Sequence, residues 1–345
     1  MVNAVPTPTP MIVSSELRQR WTPYLQSQRN GKGFINPWKP MPGPKARDVL
    51  KWKLSGKRPF PRQQKPLTLV SHPLQKFSQL AGHTRILWIG HASFFVEMDG
   101  LRLLIDPIFG RAGGVVPRLV PPALAAHELP ALDAILLTHG HHDHLDIPSI
   151  RQLVAHHGKE ILFVVPLGLA SCLPKECKRV VEVDWWSSIE LQGVQICFVP
   201  SQHWHRRYFD FNRSLWGGWV IRGSGSVYHS GDTGYFPGFK AIGEFFDGID
   251  VACLPLGAYE PRWFMSPQHM DPAASLQAFK DLKATHFVGM HWGTFDLTDE
   301  PLDAGPKELQ QLVMEQNLDP DRFHVLPHGG SLALNSDGVL SANKN

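Results

Sequence analysis

The segment 136–146 concentrates side chains that bind metal ions. It contains His139, His141, Asp143 and His144 in an H-x-H-x-D-H array. Two histidines two residues apart point to one side of an extended loop, and the acid and third histidine follow on a turn, within reach of a second point nearby. Imidazole nitrogens and carboxylate oxygens suit zinc or another borderline divalent ion. The spacing therefore predicts two half-built metal sites side by side, against the alternative of a polar surface loop.

Three further segments place metal-binding side chains directly after predicted strands. His203 follows Ser-Gln, Asp232 lies in Gly-Asp-Thr-Gly, and His291 lies in Met-His-Trp-Gly. A lone structural histidine is the alternative for His203 and His291, but both lie in short polar motifs rather than on an apolar face. If the segments converge, Asp232 bridges two ions with its two oxygens, one ion takes His139, His141 and His203, and the other takes Asp143, His144 and His291.

Asp106 lies at the end of a third predicted strand, where Pro107 blocks its continuation. A carboxylate at this point can orient a ligand histidine by accepting its second N–H. The alternative is a simple turn-forming aspartate.

Alternating strands and helices are predicted to deliver these loops. Apolar, β-rich runs predict strands at 85–89, 94–98, 102–105, 134–137, 161–165, 180–183, 194–199, 251–256 and 285–289, and helices at 147–155, 237–246, 272–282 and 307–315. Asp99-Gly100 between two runs predicts a hairpin. Two halves of similar make-up fit an α/β sandwich of two mixed sheets flanked by helices.

The domain organisation follows from composition. Residues 1–30, with prolines among threonines, predict a flexible N-terminal arm. The folded body is predicted at 84–335, and a C-terminal tail follows it at 336–345. Residues 31–83 predict a basic and aromatic extension packed on the body, with Trp38, Trp52 and Phe60 among lysines and arginines. Such a mixture suits an anionic membrane surface, or an arm wrapped on the domain with its charges solvated.

Charge and cysteine content narrow the classes of partner and compartment. The 345 residues carry 34 basic and 31 acidic side chains, and the resulting net charge of +3 does not favour a nucleic acid partner. The four cysteines lack C-x-x-C spacing, which favours reduced, packed thiols in a cytoplasm. Neither a membrane span nor a signal peptide is indicated. We expect a cytoplasmic protein, with peripheral association at the inner face of a membrane as a further option.

The order of these motifs resembles the metallo-β-lactamase superfamily. Within it, the chain resembles the N-acylphosphatidylethanolamine-hydrolysing phospholipase D family. The resemblance extends over residues 34–38, 88–92, 104–109, 201–204, 231–235, 257–265 and 291–295. Two positions depart from that family's pattern, namely His142, where tyrosine is frequent, and His205.

The resemblance implies an αββα sandwich that holds two Zn²⁺ per chain. It implies a phospholipid substrate, attack on phosphorus by a metal-bridging hydroxide, and release of phosphatidic acid and an N-acylethanolamine. Asp143, Asp232 and His269 are the implied catalytic residues. For His269, a proton donor, a supporting partner and a helix-entry histidine all stay open.

Other functions fit the same scaffold. A nuclease-like phosphodiesterase, a lactonase or a thioesterase acting on a soluble ester is the alternative enzyme. Diiron redox proteins share the sandwich, but an acid usually replaces His141 there, so this histidine argues against electron transfer. Oligomeric state is not determined by the sequence, and a homodimer is left open.

Residues 257–265 are expected to reach the substrate, with Tyr259, Trp263, Phe264 and Met265 as the rim of an acyl groove. Arg262 among them suits a phosphate or anionic head group, because a guanidinium pairs with two oxygens at once. The alternative is that these rings pack under a neighbouring loop or in a subunit contact.

Overall fold

The sandwich predicted from the sequence is confirmed by a computed structural model, which describes residues 4–12, 14–39, 41, 43, 45–55, 67–207, 210–335 and 340–343. Two eight-stranded mixed sheets pack face to face, and helices cover their outer sides. None of the described helices has the length and apolar character needed to cross a membrane.

The described strands are β1 (Thr9–Pro10), β2 (Gln28–Asn30), β3 (Gly33–Ile35), β4 (Thr84–Gly90), β5 (Ser93–Met98), β6 (Leu101–Ile105), β7 (Ala134–Leu136), β8 (Leu162–Pro166), β9 (Arg179–Val183), β10 (Ser187–Leu191), β11 (Val194–Val199), β12 (Arg206–Arg207), β13 (Asp210–Phe211), β14 (Gly218–Arg222), β15 (Ser226–His229), β16 (Ile249–Pro255), β17 (Ala284–Met290), β18 (Phe323–His324), β19 (Ser331–Leu334) and β20 (Leu340–Asn343). Each strand predicted from an apolar run is present. The other described strands, β1 to β3, β10, β12 to β15 and β18 to β20, have no counterpart among the predicted ranges.

The described helices are α1 (Ser15–Trp21), α2 (Ala46–Leu54), α3 (Pro73–Gln79), α4 (Ile147–His157), α5 (Gly238–Phe245), α6 (Arg262–Met265), α7 (Pro272–Asp281) and α8 (Ala304–Glu315). Helix α4 begins where the Asp146 carboxylate accepts the Ser149 N–H at 3.1 Å, and Asp271 caps α7 in the same way through Ala274 at 2.8 Å. The four helices predicted from the sequence correspond to α4, α5, α7 and α8.

Strand direction brings the loops together. One sheet has the order β20-β19-β4-β5-β6-β7-β8-β9, with β6 to β9 parallel, and the other has the order β1-β10-β11-β14-β15-β16-β17-β18, with β15 to β18 parallel. Parallel strands end at one edge, and side chains at that edge lie close together. The loops that follow β6, β7, β15 and β17 therefore meet.

Large aromatic and branched side chains fill the space between the sheets. Trp88 and Phe94 from one sheet, and Trp219 and Phe198 from the other, are fully buried in a single cluster. The indole N–H of Trp219 donates to the Leu137 carbonyl at 3.1 Å, which joins the second sheet to the strand end that carries the histidine array. The core thus fixes the position of the loops relative to each other.

The described residues of the predicted arm at 1–30 contact the body. Within it, β1 extends a sheet by pairing with β10, and the Trp21 indole donates to Glu244 at 2.8 Å. Tyr24 stacks on Trp38, with ring centroids 5.0 Å apart. This segment has too little apolar area to fold alone, and its few aromatic rings pack against the body.

The other two predicted segments also contact the body. The predicted tail at 336–345 contains β20, which pairs with β19 at the sheet edge. In the predicted extension, α2 packs on the body through Trp52, whose indole donates to Asp299 at 2.7 Å. Part of the basic and aromatic sequence, including Phe60, lies outside the described residues.

Candidate metal centre

Each candidate ligand lies in a loop that leaves the end of a strand. The array 139–144 follows β7, His203 follows β11, Asp232 follows β15 and His291 follows β17. The two sheets therefore contribute to one buried group of side chains between their edges. All seven side chains named as candidate ligands from the sequence lie in this group.

One half of this centre consists of three histidines around an oxygen of Asp232. The Nδ1 atom of His141 lies 2.9 Å from Nε2 of His139 and 3.1 Å from Nε2 of His203. Asp232 Oδ2 lies 3.8 Å and 3.9 Å from the same two Nε2 atoms. These four donor atoms lie within 4.8 Å of one another, the size of a cage for one ion.

The other half is arranged around the second oxygen of the same carboxylate. Asp232 Oδ1 lies 3.1 Å from His144 Nε2 and 3.0 Å from His291 Nε2, and Asp143 Oδ2 is 3.6 Å from that His291 nitrogen. His91 joins them, with Nε2 at 3.1 Å from Asp143 Oδ2. Sequence reasoning missed His91 as a ligand candidate. Its signal was a histidine that follows a predicted strand in Gly90-His91.

The donor atoms fit a bound cation better than they fit each other. Nε2 of His144, Nε2 of His291 and Oδ1 of Asp232 are buried, and although the two nitrogens lie 3.1 Å and 3.0 Å from that oxygen, the three atoms lack a partner with hydrogen-bond geometry within the described structure. Buried polar atoms without partners are costly, and several aimed at the same points indicate that something else binds them. Imidazole and carboxylate donors match zinc and related divalent ions.

The electrostatics favour positive charge at this point. Burial alone raises the pKa of Asp232, but the neighbouring His144 and His291 outweigh it and hold that pKa well below its usual range. Burial, followed by the charges of the adjacent histidines, lowers the pKa of His139 well below its usual value. The Asp232 carboxylate is thus ionised, and His139 offers a neutral nitrogen. Burial lowers the pKa of His291, but Asp232 and Asp143 outweigh it and raise that pKa to about 9, so a metal ion would displace a proton from this ring.

Groups behind the centre hold the ligand rings in place. The Asp106 carboxylate lies 2.7 Å from Nδ1 of His144, so its predicted role in orienting a ligand histidine agrees with the geometry. The same carboxylate accepts the Thr138 N–H at 2.8 Å. His203 Nδ1 is 3.1 Å from the Gln268 carbonyl, which fixes that ring with Nε2 toward Asp232.

Backbone strain collects at the same place. His91, Asp106 and His291 have φ angles of 55°, 43° and 61°, in the left-handed region that side chains other than glycine seldom adopt. Gly231, next to Asp232, has φ 58°, and a Cβ there would lie 2.6 Å from the Gly217 carbonyl. Such conformations persist where the surrounding structure imposes them, commonly at functional sites.

His269 lies beside the centre but outside the two cages described above. Its Nδ1 is buried without a hydrogen-bond partner, 3.9 Å from Asp232 Oδ2. Burial lowers its pKa to about 4. The backbone N–H of His269 donates to the Met265 carbonyl at 2.9 Å, which ties the residue to α6. The ring can therefore donate a hydrogen bond or bind a cation next to Asp232 and His291.

The predicted substrate residues do not form one surface. Tyr259 and Met265 are buried, and the Phe264 ring packs 5.3 Å from that of Trp52. Trp263 is 49% exposed. Only Trp263 therefore presents a large apolar face to solvent in this segment.

The Arg262 guanidinium is bonded to three carboxylates. Its guanidinium donates to Asp271 at 2.6 Å, to Glu308 at 2.8 Å and to Glu260 at 3.1 Å. These bonds use Nη1, Nη2 and Nε together, so the side chain links α6, α7 and α8. The expected pairing of Arg262 with a phosphate has no support in this arrangement.

Comparisons with known proteins agree with this fold and site. The model of the beta-lactamase superfamily domain matches residues 101–292. The chain is 30% identical over 323 residues to the N-acyl-phosphatidylethanolamine-hydrolyzing phospholipase D 1 of Caenorhabditis elegans, covering 86% of this chain and 90% of that protein. It is 32% identical over 239 residues to a metal-dependent hydrolase of Methanopyrus kandleri, covering 68% and 94%.

A solved structure gives the same fold at lower identity. The metallo hydrolase Igni18 of Ignicoccus hospitalis superimposes with a TM-score of 0.55 at 23% identity, over 76% of this chain and 99% of that one. At this identity the likeness concerns the fold alone. The fold, the buried histidines and aspartates and these relatives are consistent with one another.

Proposed function

From the premise that the chain belongs to the β-lactamase superfamily and is a metal-dependent hydrolase, we propose that it hydrolyses a phosphodiester. The proposed substrate is N-acylphosphatidylethanolamine, and the products are phosphatidic acid and an N-acylethanolamine. Support comes from the C. elegans relative, which carries that activity in its name and aligns over most of both chains.

The position of the Asp232 carboxylate is the observation that carries the proposal. Its Oδ1 faces His144 and His291 at 3.1 Å and 3.0 Å, and its Oδ2 faces the histidines of the other cage at 3.8 Å and 3.9 Å. A carboxylate with one oxygen in each of two cages is suited to bridge two ions. We infer a dinuclear zinc centre, because its donors are imidazole and carboxylate.

Two bound ions supply the chemistry common to such centres, which is activation of water and stabilisation of charge on a phosphoryl group. The protein's part is to hold the donors. Asp106 and the Gln268 carbonyl keep His144 and His203 from rotating. We propose that His269, whose Nδ1 lies 3.9 Å from Asp232 Oδ2, donates a hydrogen bond to the departing or phosphoryl oxygen.

An apolar and basic surface near α6 supports a lipid substrate. Leu50 and Leu54, one turn apart on α2, are 58% and 74% exposed, and Trp263 on α6 is 49% exposed. The Lys51 ammonium lies 4.6 Å from the Trp263 ring centroid, which joins the two helices. Exposed apolar side chains rimmed by lysines suit an anionic lipid surface. We propose that this surface binds peripherally to the inner face of a membrane.

The decisive experiment uses vesicles of N-acylphosphatidylethanolamine in ¹⁸O-labelled water. Hydrolysis at phosphorus places one labelled oxygen in phosphatidic acid and none in the N-acylethanolamine, as mass spectrometry would show. Activity should disappear with a strong chelator and return with zinc at two ions per chain. Full activity at one ion per chain would contradict the dinuclear centre, and label in the N-acylethanolamine would contradict attack at phosphorus.

Hydrolysis of a soluble ester is the second candidate. It is favoured by the 32% identity to the M. kandleri hydrolase, whose name specifies no lipid. A parallel assay with bis-p-nitrophenyl phosphate, a lactone and a thioester separates the candidates. If kcat/KM for one of these soluble esters exceeds that for the phospholipid, the second candidate function is favoured.

A further inference from the structure

A second group of metal-binding side chains lies beside the histidine loop and shares no residue with the Asp232 centre. Cys172, His205 and Asp210 each offer one donor atom, and the three atoms lie within 4.8 Å of one another. We propose that these residues bind a single zinc-class divalent ion through a thiolate, an imidazole and a carboxylate. This site is independent of the reaction proposed above.

The main evidence is the completely buried imidazole of His205, whose two ring nitrogens have no hydrogen-bond partner in the described structure. His229, equally buried, shows the ordinary alternative, since Nε2 lies 2.9 Å from the Ala92 carbonyl and Nδ1 accepts the Gly231 N–H at 3.1 Å. A buried imidazole with neither nitrogen satisfied is costly unless another group binds it.

Asp210 is brought to His205 by the pairing of β12 with β13. Strands β12 and β13 pair Arg207 with Asp210, and the Asn212 side chain accepts the His205 N–H at 2.8 Å. The carboxylate oxygen Oδ2 of Asp210 then lies 3.8 Å from His205 Nε2. This separation is too long for a hydrogen bond and is a few tenths of an ångström longer than the distance of about 3.3–3.6 Å between two ligands of one tetrahedral ion, so a small side-chain movement brings both atoms to one ion.

Cys172 reaches the same point from the other sheet. It ends the short 3-10 helix Leu169–Cys172 that follows β8. Gly168 at the start of this turn has φ 86°, and a Cβ there would lie 2.5 Å from the Arg213 carbonyl, so only glycine allows the turn to approach the chain after β13 so closely. The Cys172 side chain is therefore delivered by a contact that depends on residue 168.

The site is open to solvent on one side. Cys172 and Asp210 line a surface cavity of about 660 Å³, through which an ion can enter. Three protein ligands leave the fourth position of a tetrahedral ion for water. Arg207 also lines the cavity, and its positive charge opposes a cation, so the ion should bind more weakly here than at the Asp232 centre.

Occupation of this site would also affect the neighbouring loop. The rings of His205 and His141 lie parallel, with centroids 6.4 Å apart. A Cβ on Gly140, between His139 and His141, would overlap the His205 ring. An ion that fixes His205 thus fixes the surface against which the histidine loop packs.

Cobalt titration of the metal-free full chain tests the proposal, because a cobalt–thiolate bond has a charge-transfer absorption in the near ultraviolet that imidazole and carboxylate do not give. We expect this absorption together with one cobalt beyond those bound at the Asp232 centre. Cys172→Ser should abolish the absorption and that one equivalent, and Asp210→Asn should shift the titration to higher cobalt concentration. Asp232→Asn should retain the absorption while the other centre loses cobalt.

Cys177→Ser is the matched control, since Cys177 lies in the same loop but outside the cluster, and it should retain both signals. The proposal is overturned if the wild-type chain shows no thiolate absorption at saturating cobalt. It is equally overturned if the absorption survives Cys172→Ser. Because the readout is spectroscopic, the result does not depend on which substrate the enzyme hydrolyses.

Discussion

The centre around Asp232 and the loop around Arg262 both gather charged side chains, but they satisfy them in opposite ways. At the centre, buried nitrogens of His144 and His291 and an oxygen of Asp232 lack hydrogen-bond partners. At the loop, the Arg262 side chain is 45% exposed and still bonds three carboxylates. Unsatisfied buried donors indicate a binding site, and a saturated, exposed cation indicates a structural link.

This contrast corrects a reading based on residue type alone. Arg262 and its aromatic neighbours have the composition of a lipid-head-group site, whereas their contacts are those of a brace between helices. The centre has the composition of a metal site, and its geometry is consistent with that. The difference predicts that substitutions in the two regions affect different properties, activity in one and stability in the other.

The largest effect is expected for Asp232→Asn. An amide keeps the shape of the side chain but removes the charge shared by both cages, so kcat should fall by at least about 10³-fold and bound zinc should decrease. Steady-state kinetics and metal analysis measure both. Asp250→Asn, at the opposite end of the same parallel strands, is the control and should retain activity. Substantial turnover by a folded Asp232→Asn variant would contradict the proposal that Asp232 bridges two ions.

A smaller loss is expected for Asp106→Asn. Asparagine tolerates the left-handed backbone at this position, so the fold should persist while the bond to His144 Nδ1 weakens. Zinc affinity should fall by about 10- to 100-fold, as measured by competition with a chelator. Asp133→Asn removes a carboxylate that accepts the Arg102 N–H and a Gln192 N–H in the described structure, and should leave the affinity unchanged. Equal losses in both variants would show a general effect of charge.

Trp263→Ser should separate the membrane surface from the centre. Loss of this exposed ring is expected to lower hydrolysis of N-acylphosphatidylethanolamine in vesicles by about tenfold, because less apolar area partitions into the bilayer. Hydrolysis of a soluble diester and the Tm should not change. Met314→Ser, a change at another exposed apolar residue, is the control. If both substrates suffer equally and the Tm falls, the ring packs in the fold instead.

The smallest effect on activity is expected for Arg262→Met. The substitution leaves Glu260, Asp271 and Glu308 without their shared cation, and the free energy of unfolding should fall by about 1 kcal/mol, given the exposure of the network. Thermal or urea unfolding measures the change. The kcat for a soluble diester should stay at the wild-type value. A large rise in KM for the lipid without loss of stability would restore Arg262 as a head-group ligand.

The sequence alone identified the fold class, the strands that deliver the loops and seven side chains of the centre. It could do so because apolar runs mark buried strands, and because polar motifs directly after them lie at strand ends, where parallel strands converge. In the H-x-H-x-D-H array, the spacing along the chain alone directs the side chains toward two neighbouring metal positions. These features depend on neighbours within a few residues.

Tertiary structure decided what depends on distant partners. His91 comes to Asp143, Arg262 to Glu308, and Cys172 to His205 only because strands from separate parts of the chain lie next to each other. The same holds for the N-terminal arm, which pairs through β1 with β10. Whether a charged side chain is satisfied or left to bind a ligand is set by the groups packed around it in space, and residue type and local spacing do not contain that information.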